Sequence, residues 1–318
     1  MRVLVTGGAG YVGSVAVHAL RAAGHHLVVL DTLERGRPDR LDGVRLVVGD
    51  VADVRLVGAL LRDEGIEAVL HFAAYRSVEE SMADPLRYHL NNVGGALCLF
   101  EAMAGCGVRL LVHSSTCAVY GSPRDLPVPE DAPLRPMNPY ATGKGMVERV
   151  IEDLAAAGVL KPVVLRYFNA AGSVPELGLG EAPGSASLVA MVIDAAAGGA
   201  PLRVFGLDYE TRDGTAIRDF VHVEDLARAH VMALEYVASG GAPVTLNLGS
   251  GTGTTVLEVI HAVERASGRV VPWEPAPRRP GDPAESWADI RRASSVLGWA
   301  PWRSLDDIAV SAWRNHGR

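Results

Sequence analysis

The sequence predicts an α/β protein: a doubly wound parallel sheet with a smaller, discontinuous carboxyl-terminal α/β domain. Three observations predict it. Short, continuously apolar runs rich in β-branched residues recur through the first half, as strands buried on both faces require. Helical patterns lie between them, several closed by Gly, and strand–helix alternation of this kind favours a parallel sheet. A glycine-rich stretch, "TGGAGYVG" at 6–13, joins the first strand-like run to the first helical one.

In chain order, "RVLVTG" is a strand and "YVGSVAVHALRAAG" the helix after it. "HLVVLD", "RLVVGD", "AVLHFA", "RLLVHSS" and "PVVLRYF" are further strands, with "DVRLVGALLRDEG" among the intervening helices. After about residue 169 the texture changes, and "AAGSVPELGLGEAPGSAS" is Gly-, Pro- and Ser-rich loop. Residues 219–249 return to the earlier style, with "FVHVEDLARAHVMALEYV" and the strand "VTLNLG". Then come the helix "TVLEVIHAVERASG", a Pro/Arg-rich loop at 275–283 and a last helix near 304–315. We therefore expect one domain from 1–168 plus about 219–249, and a second from about 169–218 plus 250–318. In such sheets right-handed crossovers put the ligand site at the carboxyl ends of the strands. No internal repeat or long disordered linker is evident.

Composition narrows the function. At 48% hydrophobic and 21% charged, the 318 residues are those of an ordinary soluble protein with a substantial core. A net charge of −7 argues against a nucleic-acid footprint. No apolar run approaches the roughly eighteen residues of a membrane span, and the amino terminus is strand-like rather than a signal segment. Cys98, Cys106 and Cys117 match no metal-ligand spacing. With no metal expected, reduced thiols and a cytoplasmic location follow.

Gly7, Gly10 and Gly13 let the chain turn tightly and bring backbone N–H groups close to a pyrophosphate at a helix amino terminus. Asp31 ends the second strand. It is either a solvated turn residue or an acceptor for adenosine ribose hydroxyls; beside the glycine turn the cofactor reading is preferred, and a carboxylate there favours NAD over NADP. Asp50 ends the third strand and is an adenine candidate.

"NPYATGK" places Tyr140 and Lys144, one of only two lysines, four residues apart. If Pro139 opens a helix, both lie on one face, continued by Val147 and Ile151. A phenol of pKa about 10 needs roughly 3 units, or about 4 kcal/mol, to act as a base near neutrality. An ammonium about 5 Å away at an effective dielectric of about 20 supplies roughly 3 kcal/mol. Such a pair could move a hydroxyl proton while hydride leaves the same carbon. The alternative is a core tyrosine beside a snorkelling lysine. "HSSTCAVYG" adds a cluster of hydroxyls, Ser114, Ser115 and Thr116, after the fifth strand.

With these residues assembled, the sequence resembles the extended short-chain dehydrogenase/reductases, and among them the UDP-galactose (UDP-glucose) 4-epimerases. The resemblance spans nearly the whole chain: "TGGAGYVGS", "HFAA…VEES", "NNV", "SST…VYG", "PYATGK", "LRYFNAAG", "DGTAIRDFVHVEDLA", "NLGSG" and "RRPGD…WAD". It implies a Rossmann-type domain holding NAD and a second domain holding a UDP-sugar. It makes Tyr140 the acid/base, Lys144 its activating cation and nicotinamide-ribose contact, and Thr116 a hydroxyl on the sugar O4. Around NAD it sets Gly7, Gly10, Tyr11, Val12, Gly13, Asp31, Asp50, Val51, Phe72, Ala73, Ala74, Arg76, Asn91, Ser114 and Tyr167. Toward the UDP-sugar it sets Asn169, Ser187, Leu188, Arg218, Arg279, Asp282 and Ser286. It further implies a homodimer paired through helices near 91–105 and 140–157.

Some positions depart from the family pattern. Arg76 stands where lysine is common, Thr32 where asparagine is usual, and Ser187 where asparagine often meets substrate. Ser286 stands where many resembling bacterial enzymes carry tyrosine. A small residue there goes with room for an N-acetyl group, so the resemblance implies UDP-glucose/UDP-galactose with UDP-GlcNAc/UDP-GalNAc as further substrates; the alternative is an ordinary loop residue. Resembling 4,6-dehydratases and decarboxylases carry an acid after the threonine, whereas Cys117 and Ala118 follow here. Epimerisation of UDP-glucuronate or a UDP-pentose, and a non-catalytic NAD-binding regulator, are the competing expectations.

Overall fold

The computed structural model describes residues 1–182, 184–279 and 282–316. Contacts divide the chain into two compact units: 1–121, 134–166 and 227–246 form the first, and 122–133, 167–226 and 247 onward the second. Relative to the sequence expectation, 122–133, 167–168, 219–226 and 247–249 go with the second unit.

The first unit opens with β1 (Arg2–Thr6), α1 (Tyr11–Ala22), β2 (His26–Asp31), β3 (Arg45–Val48), α2 (Val54–Asp63) and β4 (Ala68–His71). Short helices α3 (Val78–Ala83) and α4 (Pro85–His89) follow, then a π-helical turn at Leu90–Gly94 and α5 (Gly95–Cys106). β5 (Leu110–Thr116), α6 (Pro139–Ala156) and β6 (Lys161–Tyr167) complete the alternation. The strand runs are apolar because helices cover both faces of the sheet: Val3, Leu4, Val5, Val69 and Leu70 are fully buried.

The second unit contains β7 (Asn169–Ala171), α7 (Leu188–Ala196), β8 (Leu202–Phe205), β9 (Ile217–Arg218) and β10 (Phe220–His222). The chain continues through α8 (Val223–Ala238) and β11 (Val244–Leu248). It ends in β12 (Thr254–Thr255), α9 (Val256–Ser267), β13 (Trp273–Ala276), β14 (Glu285–Ser286), α10 (Arg291–Leu297) and α11 (Leu305–Asn315). The large sheet has seven strands in the order β11-β6-β5-β4-β1-β2-β3. Its central pairs are parallel, with Thr6 opposite His71 and His71 opposite His113. The order reverses at β1, where the crossovers switch sides and a crevice opens at the carboxyl ends. Around Val189, Val192, Ile260 and Ile308 the second unit builds its own core. Smaller sheets, β12-β9-β14, β10-β7 and β13-β8, accompany it. Pro280 and Gly281 of the "RRPGD" stretch, and Pro183 of the earlier loop, lie outside the described residues.

Candidate active site

The glycine turn is bare backbone by necessity. Gly7 adopts φ +71°, and a Cβ there would fall 2.5 Å from the Ala73 nitrogen. At Gly13 a Cβ would sit 2.3 Å from the Gly7 carbonyl oxygen. The Gly7 N–H donates to Leu30 O at 2.9 Å, fixing the turn to β2. α1 starts at Tyr11 with Gly10 as its cap, and that cap makes no side-chain hydrogen bond. The amides of Val12 and Gly13 in that turn suit an anion.

At the end of β2, the Asp31 carboxylate accepts from the Ala9 amide at 3.0 Å and the Leu33 amide at 2.9 Å. Each oxygen takes one of these bonds, so both retain acceptor capacity. Asp31 therefore anchors the turn and still offers a carboxylate to a ribose. Helix-start amides beside a carboxylate with spare acceptor capacity fit a dinucleotide with an unphosphorylated ribose.

Asp50 and Asn91 converge on one cavity of about 520 Å³, with Tyr75 and Arg87 also in its wall. Asn91 stands on the π-helical turn, a device that recurs at functional sites. Val51, between Asp50 and Asn91 in the chain, is buried and belongs to the core. Phe72 donates its amide to Thr6 O at 2.9 Å and sets its ring 4.6 Å from that of His230. Ala73 and Ala74 are half-buried in the segment after β4, and Arg76, beyond them, is exposed.

β5 runs through Thr116, so the three hydroxyls stand on the strand rather than after it. α6 begins where expected: Pro139 is its first residue and Asn138 caps it, accepting from the Ala141 amide at 2.9 Å. Tyr140 and Lys144 then face β5 together. Thr116 hydrogen-bonds the Tyr140 phenol, and Lys144 Nζ donates to the Ser114 carbonyl at 2.9 Å. Lys144 is buried, which excludes the snorkelling alternative.

One electrostatic expectation is corrected. Burial pushes the Tyr140 phenol up to about 12, the Thr116 hydrogen bond and the Arg76 charge working against it. Burial likewise draws the pKa of Lys144 down to about 8, while Glu148 raises it. Desolvation was left out of the simple Coulomb sum, and here it exceeds the cation's help.

In the second unit, Arg218, Asp282 and Ser286 come together. Arg218 Nη2 lies 3.7 Å from an Asp282 oxygen, and Ser286 on β14 pairs with Arg218 on β9. The Asp282 amide donates to Arg279 O at 3.2 Å, and the Arg279 guanidinium lies over Phe205 at 3.9 Å. Asn169 donates both its amide and its Nδ2 to Asp219 O, at 3.0 and 2.7 Å. Ser187 caps α7 and donates to Glu181, while Leu188 packs into the core of this unit. Tyr167 closes β6.

Sequence reasoning missed three residues that hold these groups: Glu148, Arg166 and Asp219. Glu148 carried a signal, lying one further helical turn beyond Lys144.

Residues 3–249 match the profile of the NAD dependent epimerase/dehydratase family. The chain belongs to that family. A curated member, the UDP-glucose 4-epimerase of Azospirillum brasilense, is 45% identical over 98% of this chain and 90% of its own length. The family's solved structures superpose closely. One is a UDP-glucose 4-epimerase from Stenotrophomonas maltophila with bound NAD and formylated UDP-arabinopyranose. It gives a TM-score of 0.96 at 42% identity, covering 99% of this chain and 97% of that one. The UDP-Glc/GlcNAc 4-epimerase of Campylobacter jejuni gives 0.88 at 37% identity, with 99% and 97% covered.

Proposed function

We propose that this chain is an isomerase that inverts C4 of a UDP-hexose, interconverting UDP-glucose and UDP-galactose with NAD as a retained cofactor. The observation that carries the reading is the row formed by Thr116, Tyr140 and Lys144: a hydroxyl bonded to the phenol of a half-buried tyrosine, with a buried ammonium one turn away. Full-length similarity to UDP-glucose 4-epimerases supports it. A non-catalytic NAD-binding regulator is not favoured.

The first unit holds the dinucleotide in this reading. Amides at Gly7 to Gly13 take the pyrophosphate and Asp31 the adenosine ribose. Asp50 and Asn91 take the adenine end, with the 72–76 segment, Ser114 and Tyr167 around the rest. Bound NAD supplies a reversible acceptor for the C4 hydride, and its positive charge favours a phenolate nearby. Tyr140 removes the 4-hydroxyl proton, with Thr116 as the hydroxyl between sugar and phenol. Lys144 stabilises the phenolate and binds the nicotinamide ribose. Arg218 and Arg279 keep the diphosphate through charge-assisted bonds, flanked by Asn169, Asp282, Ser187 and Leu188. The 4-keto sugar then turns over, hydride returns to its other face, and Tyr140 gives the proton back.

Ser286, half-buried beside Arg218 on the sheet, supports acceptance of UDP-GlcNAc as well. A UDP-pentose stays as the second reading because the Stenotrophomonas relative was crystallised with a UDP-arabinopyranose derivative. Incubation with a panel of UDP-sugars, followed for C4 isomers, decides among them. No UDP-glucose/UDP-galactose interconversion would refute the main reading. Ser286→Tyr is expected to lower UDP-GlcNAc turnover at least about tenfold while sparing UDP-glucose, because a phenol ring would fill space worth about 1–3 kcal/mol of discrimination. Undiminished turnover would remove Ser286 from the specificity argument.

Exposed apolar residues on the helical surface, Leu90 (66%), Leu97 (44%) and Met146 (49%), support a homodimer through these helices. Among the described residues no helix is long and apolar enough to cross a membrane. A cytoplasmic location is part of the same proposal.

A further inference from the structure

We propose that the buried Glu148–Arg166 pair is a positioning element for the chemical step, fixing α6 against β5 and setting the charge of Lys144. The inference rests on the reading of Tyr140 and Lys144 as the acid/base pair.

Positions 140, 144 and 148 follow one another at one-turn spacing along α6. Each is tied to one of three consecutive residues of β5. Thr116 bonds the Tyr140 phenol, the Ser114 carbonyl accepts from Lys144, and the Ser115 hydroxyl donates to Glu148. The cluster of hydroxyls noted in the sequence is thus the strand side of a clasp. Arg166, on β6, grips Glu148 with Nε at 3.1 and 3.0 Å and Nη2 at 2.5 Å. Its Nη1 donates to the Tyr120 hydroxyl at 2.9 Å, and the guanidinium lies 5.0 Å from that ring's centre. The two side chains are only 2% and 4% exposed. A buried ion pair of this kind rarely stabilises a fold more than apolar residues of equal volume would. Stability alone therefore does not account for the pair, and its place beside Lys144 suits a role in the reaction.

The charge environment of Lys144 shows what that role is. From β4 and β5, His71 and His113 face it, both held neutral by burial and by Lys144 itself. On α6 lie Tyr140 and Glu148, and from β6 comes Arg166, spent on Glu148. His230 of α8 stands 3.5 Å from the Ser114 hydroxyl. Arg76, Cys117 and Tyr88 act on the phenol. Burial opposes the ammonium, and Glu148 is the group that favours it. Without that carboxylate the lysine would be neutral over much of the physiological range and could no longer stabilise a phenolate.

The chain's two lysines make the test direct. In protein labelled with 13C at lysine Cε, two resonances titrate, and Lys161→Arg assigns them. The native Lys144 is expected to titrate near 8. Glu148→Gln should lower that midpoint by about one unit or more, and the alkaline limb of the UDP-sugar interconversion rate should move with it. Should that variant not fold, Glu148→Gln/Arg166→Met keeps the site without a stranded charge and should shift the same way. Arg166→Met alone should leave the midpoint or raise it. A folded variant lacking Glu148 whose lysine titrates as in the native protein, with rate lowered uniformly across pH, would overturn the proposal. So would a native Lys144 titrating near the ordinary value of about 10.4, whichever variants fold. Native protein without interconversion activity would instead sink the functional reading, and the lysine titration would still report on the pair.

Discussion

In the first unit a single helix carries the proposed acid/base pair, Tyr140 and Lys144, one turn apart and both fastened to β5. In the second unit Arg218 depends on a knot of distant segments. Its neighbour Asp219 accepts from the Ser250 amide at 2.6 Å, the Ser250 hydroxyl at 2.7 Å, the Gly251 amide at 3.2 Å and the Ala288 amide at 3.0 Å. The passing chain comes so close that a Cβ at Gly249 would lie 2.3 Å from the carboxylate. Proton transfer requires tenths of an ångström, and a helix face provides that from local sequence. On the proposed reading, holding a flexible diphosphate requires charge in the right region, which loops pinned by one buried carboxylate can provide.

The sharpest way to break this contrast is Tyr140→Phe. Loss of the phenolic oxygen should reduce kcat about 10²- to 10⁴-fold while UDP-sugar affinity, measured by calorimetry, changes little. A rate within tenfold of the native one would remove the acid/base assignment. Arg218→Met should do the converse. Charge-assisted hydrogen bonds are worth about 1.5–3 kcal/mol, so KM for the UDP-sugar should rise roughly 10- to 100-fold with a smaller change in kcat. A fall in kcat alone would mean that Arg218 acts on the reacting carbon rather than on the diphosphate.

The same contrast explains what the sequence made legible. The sheet could be read because strands buried on both faces must be apolar throughout, and the turn because Gly7 and Gly13 have no room for a side chain. Tyr140 and Lys144 could be read because a helix converts a spacing of four into a shared face. Asp219 could not. Its partners lie 31 to 69 residues away, and no periodicity marks a carboxylate that will collect amides from other loops. Arg166 was hidden differently, inside the strand run "PVVLRYF", where a charge sits in the core only because Glu148 arrives from α6. The desolvation of the Tyr140 phenol was equally invisible, and it reversed the direction of the phenol's shift.

Acid should weaken the first unit in a recognisable way. Burial, reinforced by Lys144, lowers His71 to about 3 and holds His113 well below its usual value. The folded protein keeps both imidazoles neutral as pH falls, whereas the unfolded chain takes up protons near 6.5. Between those limits the unfolded state binds more protons, so stability declines as pH drops from about 6.5 toward 3. Each group contributes up to about 1.4 kcal/mol per pH unit. Urea midpoints across that range should show the slope, and His113→Phe should remove about one proton's share of it. An unchanged slope in that variant would mean that the ring is already protonated in the fold.

The smallest effect expected lies two residues from the largest. Asn138 has extended backbone, φ −149° and ψ 161°, and its carboxamide oxygen caps α6. Asn138→Ala should lose about 1 kcal/mol of stability, or roughly 2 °C in Tm for a chain of this size. Pro139 and the bonds to Ser114, Ser115 and Thr116 still fix the helix, so kcat below the transition should stay within about threefold. The pair Asn138→Ala and Tyr140→Phe therefore separates support from chemistry within one turn of helix. If Asn138→Ala instead costs more than tenfold in kcat with Tm unchanged, the clasp along α6 does not by itself place the phenol. The aim of Tyr140 would then depend on the cap as well as on β5.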